Sequence, residues 1–148
     1  TNHDCGYSVQ QTYDGGYIIT GYTESFGAGS NDVWLIKTDE NGDEEWIQTF
    51  WGEIRDVGNS VQQTADCGYI IAGFTIFWGE DEWDVDVWLI KTDSNGNEEW
   101  NQACGGTNHD SGYRVQQTND GGYIINGYTE TFGAGAKDVR VKYTEYKG

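Results

Sequence analysis

Tryptophan and carboxylate crowd one stretch of this 148-residue chain. Residues 76–86 read IFWGEDEWDVD, and a second group, Trp51, Glu53 and Arg55, stands earlier in the chain. An indole face can stack on a sugar ring while carboxylates accept hydrogen bonds from its hydroxyls. Tryptophan beside charge is equally an anchor for protein contacts. A plainer role is to cover the ends of neighbouring structural units. The candidate ligand or interface residues are therefore Trp51, Trp78, Trp83, Asp81, Asp84, Asp86, Glu53 and Arg55.

Three other patterns could carry chemistry. His3-Asp4 and His109-Asp110 recur, and two histidines can ligate a metal when geometry brings them together. The aspartate also has a simpler use, accepting backbone N–H groups in a turn. DENGDEE at Asp39 and DSNGNEE at Asp93 resemble calcium loops, but an EF-hand needs glycine sixth and here it is fourth. Any calcium there would only stabilise the surface. The pairs Gln10-Gln11, Gln62-Gln63 and Gln116-Gln117 are candidates for facing a channel. In an extended strand their side chains alternate, one to a shared channel and one to a neighbouring layer. Such amides would bind ordered water or a polar ligand.

No GxSxG, HExxH or phosphate loop is present. Carboxylates are so abundant that any one pair is uninformative. The expectation is a protein that is not an enzyme, with no cofactor and no catalytic or metal residues.

Composition narrows the class. Lys plus Arg is 8 against 25 Asp plus Glu, a formal charge of -17, which repels nucleic acid and anionic membranes. No apolar run reaches the roughly 18 residues of a spanning helix. Aromatics at 15% argue against disorder, and 22 glycines argue against a helical bundle. Cys5, Cys67 and Cys104 are an odd set without CxxC spacing. They read as isolated small residues, or as one disulfide plus a free thiol. The acidic balance suits an extracellular or cell-surface setting. With no methionine, the chain is expected to be a processed product, an excised piece or part of something longer.

The elements that must position these residues are repeats. GYSVQQT, GNSVQQT and GYRVQQT start at Gly6, Gly58 and Gly112, offsets of 52 and 54; VWLIKTD starts at Val33 and Val87. Residues 1–33 and 107–139 differ at seven positions. Each unit predicts four short strands, in unit one Tyr7–Thr12, Tyr17–Thr23, Asp32–Thr38 and Glu45–Phe50. Asp14-Gly15-Gly16 and Asn41-Gly42 are hairpin turns, so the strands form an antiparallel meander. Tyr17-Ile18-Ile19 and Val33-Trp34-Leu35-Ile36 are continuously apolar, as strands covered on both faces are. Four-stranded sheets covered on both faces by their own copies are the blades of a β-propeller.

IKTDENGDEEW at Ile36 to Trp46 resembles the tryptophan-docking segment of quinoprotein-type propellers, with Gly42 four residues before Trp46 and Gly96 before Trp100. The family's aspartate is displaced by one, to Asp39. The DGGYII units also resemble repeat arrays of uncharacterised secreted bacterial and archaeal proteins. The resemblance implies a fold, and no cofactor or metal residues of the quinoprotein enzymes find a match.

The expected class is all-β, with about three propeller blades: 1–52, 53–106 and an incomplete 107–148 whose last strand is missing. In the third, Trp34 and Ile36 are replaced by Arg140 and Lys142. Three blades cannot close a ring that typically needs 4–8. The expected partners are copies of itself, in an oligomer, ring or fibre, or further blades of a longer chain. The expected function is a non-enzymatic extracellular scaffold for self-assembly, adhesion or protein recognition. The alternative is a carbohydrate-binding propeller using the tryptophan-rich end of the second blade.

Overall fold

The computed structural model describes residues 2–28, 30–79, 83–106 and 108–131, and the backbone of 140–143. Eleven strands are present among them and no helix: β1 Asp4–Gln11, β2 Tyr17–Thr23, β3 Asp32–Thr38, β4 Glu44–Phe50, β5 Arg55–Gln63, β6 Tyr69–Trp78, β7 Trp83–Thr92, β8 Glu98–Cys104, β9 Asp110–Gln117, β10 Tyr123–Thr129 and β11 Arg140–Tyr143. They form three antiparallel meanders: β1 to β4, β5 to β8, and β9 to β11. The second and third strands of unit one have the bounds the sequence predicts. The first runs three residues earlier and the fourth one residue earlier.

Tight turns set the register. Gly15, Gly42, Gly96 and Gly121 adopt positive φ, the conformation such hairpins require. Cys67 takes that place in the second unit at φ 67°, a strained site for a residue with a side chain. The first strand of each unit carries a bulge at one repeat position, Tyr7, Asn59 and Tyr113. Opposite it the backbones close in, so a Cβ at Gly73 would meet the Val57 carbonyl oxygen at 1.7 Å. Only glycine fits.

The second sheet is covered on both faces, as its continuous apolar strands require. Tyr69, Ile71, Trp88 and Ile90 join Ile18, Val33 and Leu35 of the first sheet in one buried cluster. The alternate residues Ile70, Ala72, Val87 and Leu89 join Val115, Tyr123 and Ile125 of the third. Period-two alternation thus divides one strand between two interfaces. Among the described residues the outer sheets have no second neighbour. Val9 of the first sheet is 64% exposed, while its repeat equivalents Val61 and Val115 are 6% and 7%. Tyr17 is 37% exposed, whereas Tyr69 and Tyr123 are 2%.

The third sheet departs in register. Ile19 faces Ile36 across the first sheet and Ile71 faces Ile90 across the second. In the third, Ile125 faces Val141, not the repeat equivalent Lys142. A one-residue slip exchanges the two faces of a strand. It takes lysine away from the register position opposite a core isoleucine.

Candidate functional site

The two ends of the sheets carry different chemistry. At the end holding the first-to-second and third-to-fourth strand turns, each complete sheet buries a lysine. Lys37 Nζ lies 2.9 Å from Asp14 and 2.7 Å from Glu45; Lys91 repeats this with Asp66 and Glu99 at 3.0 and 2.7 Å. Glu45 and Glu99 are the extra residues of bulges in β4 and β8, and a bulge re-aims its side chain. The Thr12 hydroxyl and then Lys37 hold Asp14 down at about 2. Burial pulls Lys37 down, but bonds to Glu45 and Asp14 outweigh it and leave its pKa raised. Asp39 and Asp93, the calcium-like positions, accept N–H bonds from Asn41 and Asp43 and from Asn95 and Asn97. Their carboxylates cap their own turns.

Trp46 packs on the turn of the following sheet. A Cβ at Gly96 would lie 2.6 Å from its ring, and its ring meets Tyr69 edge-on at 5.9 Å. Trp100 meets Tyr123 at the same 5.9 Å with the rings tilted. There the junction holds a cleft of about 650 Å³ lined by Lys91, Asp66, Glu99, Trp100 and Asp120 among others.

The glutamines stitch the sheets together. Gln10 Oε1 accepts from Gln63 N–H at 2.7 Å and Gln62 Oε1 from Gln117 N–H at 2.6 Å, each reaching the next sheet. Gln63 and Gln117 reach back, accepting from Tyr13 and Ala65 N–H. Gln11 donates within its own turn, to Gly15. Gln10, Gln62 and Gln116 also line a cleft of about 510 Å³ between the innermost strands, with Arg114 and Ile124.

At the opposite end β6 and β7 run three residues beyond their counterparts, pairing Ile76 with Val85, Phe77 with Asp84 and Trp78 with Trp83. Trp78 and Trp83 meet edge to face at 4.5 Å and stay exposed, a cross-strand pair that supports the hairpin carrying it. Arg55 sits over the Phe74 ring at 5.9 Å. Trp51 is exposed in the β4–β5 connection and, among the described residues, makes no ring contact with Trp78 or Trp83. Glu53 is exposed beside it. Asp81 lies outside the described residues. Asp84 accepts the N–H of Val85.

Asp86 belongs to a grouping that sequence reasoning missed. Burial first, then the Asp84 and Asp110 carboxylates, push its pKa up to about 6. A Cβ at Gly105 would lie 1.8 Å from Asp86 Oδ1 and 2.9 Å from Asp110 Oδ2, so the two carboxylates converge on one backbone position. The preceding junction repeats the pair. Burial, then Asp56, push Asp32 up, and burial pushes Asp56 up despite bonds from Thr75 and Gly52. Oδ1 of Asp32, Asp56, Asp86 and Asp110 is buried without a hydrogen-bond partner. The available signal was the aspartate that recurs at one repeat position of the first strands, Asp4, Asp56 and Asp110, and at one of the third strands, Asp32 and Asp86, but the pairing follows from the stacking of sheets.

His3 and His109 immediately precede β1 and β9, of the first and third sheets, and among the described residues no three His, Cys, Asp or Glu converge on a metal position. Cys5, Cys67 and Cys104 are free thiols, in no disulfide. No protein-family model matches the chain, and no curated protein matches it.

Proposed function

We propose that the chain is a non-enzymatic extracellular scaffold that self-assembles as a β-propeller, its first sheet covered by the last sheet of a second copy. The observation that supports this is one repeat position in three surroundings. Val61 and Val115 are buried by the preceding sheet, and Val9, with no preceding sheet, is exposed. Tyr17 repeats the contrast. The face that Val9 and Tyr17 share with Trp34 also holds an indole Nε1 that is buried and unpartnered; its counterpart on Trp88 bonds Asn101. Apolar faces of this kind drive association. The test is sedimentation velocity of the protein and of Val9→Asp, each checked for strand content by circular dichroism. The reading expects oligomers that Val9→Asp returns to monomer with unchanged strand content. A folded monomer at every concentration overturns it.

A second reading rests on Trp78 and Trp83, whose exposed rings pair across the extended hairpin in an acidic stretch of the chain. Exposed indole next to carboxylate suits a carbohydrate. Glycan-array binding lost in Trp78→Ala and Trp83→Ala supports it, and no binding by the unmodified protein removes it.

A further inference from the structure

Between each pair of sheets an aspartate of a third strand stands against one of the next sheet's first strand: the Asp56 N–H donates to the carbonyl of Asn31, next to Asp32, at 2.8 Å, and the Asp86 and Asp110 carboxylates both approach Gly105. Three of these side chains are more than nine-tenths buried, Asp32 at 3%, Asp56 at 1% and Asp110 at 2% exposed. One oxygen of Asp56 and one of Asp110 are anchored by turn N–H groups. Asp56 Oδ2 accepts from Gly52 N–H at 2.5 Å, and Asp110 Oδ2 accepts from Gly106 N–H and the Thr131 hydroxyl. Oδ1 of all four aspartates is buried with no hydrogen-bond partner among the described residues. The groups acting on Asp32 are its burial, the Asp56 carboxylate and the Ala28 N–H. The two ion-pair networks of the described residues centre on Lys37 and Lys91, at the other end of β3 and β7.

Two buried carboxylates with no cation are costly, and the cost is removed by a bound cation or a shared proton. The first sheet supplies a contrast. Asp4, the repeat equivalent of Asp56, has no preceding sheet and is exposed; it accepts from the hydroxyls of Thr23 and Ser25 instead. The unpartnered oxygens therefore arise where two sheets meet and recur at both junctions.

We propose that each junction binds a hard divalent cation, calcium foremost, between Asp32 and Asp56 and between Asp86 and Asp110. The ligands are all oxygen, which excludes a preference for softer metals. Calcium accepts six to eight oxygens in irregular geometry and fills its shell with backbone carbonyls and water, which suits a site with two carboxylates. Such an ion would tie one sheet to the next, in every junction the repeat generates.

The test is thermal unfolding of the full chain at constant ionic strength, with EDTA and then with calcium chloride, alongside Asp32→Asn/Asp86→Asn. Calcium at about ten times its Kd at both junctions is expected to raise Tm by about 8 °C, and isothermal titration should register the binding. The double variant should be at least as stable as the unmodified protein in EDTA, since repulsion is relieved, yet lose the calcium response. Calcium leaving Tm unchanged, with the Asn variant more stable than the unmodified protein, overturns the proposal in favour of a shared proton. A calcium response that survives the double variant overturns it in favour of a surface site.

Discussion

Truncating one valine at three equivalent places measures what each sheet-to-sheet contact contributes. Val9→Ala, Val61→Ala and Val115→Ala remove the same atoms from the same strand position, so the strand preference of alanine largely cancels. Val61 and Val115 are almost wholly buried. Losing two carbons at about 0.8 kcal/mol each costs about 1.6 kcal/mol, and any cavity left behind adds to it. Val9 keeps only about a third of its surface from water, so its loss scales to about 0.6 kcal/mol. With a urea slope of about 2 kcal/mol per molar, the midpoints should fall by about 0.8 M for Val61 and Val115 and about 0.3 M for Val9. The measurement is urea unfolding followed by tryptophan fluorescence in dilute protein. Raising the concentration should bring the Val9→Ala loss toward that of Val61→Ala, as the face becomes covered. Equal losses for all three in dilute protein would refute the reasoning.

Two further outcomes follow from single residues. Gly42→Ala and Gly96→Ala place alanine at φ +88° and +78°, but only the second sets a Cβ against the Trp46 ring. Gly42→Ala should cost about 1–2 kcal/mol, and calorimetry should find the drop in Tm clearly larger for Gly96→Ala. Asp14 has a folded pKa of about 2 against an ordinary 3.8, so its stabilisation is present above pH 3.8 and lost as pH falls through 2. Asp14→Asn should therefore show a shallower fall of urea midpoint over that window; an unchanged slope would mean the carboxylate contributes nothing.

Much of the fold was legible because a repeat exposes its own pattern. Continuous apolar runs marked strands built for cover on both sides; the second sheet has that cover, the first sheet's Tyr17–Ile19 and Val33–Ile36 have it on one face, and β2 and β3 have the predicted bounds. Three features were not legible. The length of β6 and β7 depends on Trp78 and Trp83 closing a hairpin that composition alone reads as a loop. The slip of β11 reflects competition between Lys142 and Val141 for one register position, which periodicity by itself cannot settle. The pairing of Asp32 with Asp56 is made by stacking between sheets. Each aspartate alone looks like a turn residue, and Asp4, which lacks a facing sheet, behaves as one.

The central claim is that the first sheet's outer face is sheltered by a further sheet in solution. Oxidative footprinting of Tyr17 against Tyr69 and Tyr123 tests it within one sample, since all three occupy the same repeat position. The account predicts that Tyr17 becomes as protected as the other two when concentration rises. Labelling of Tyr17 that stays far above both at every concentration would contradict it.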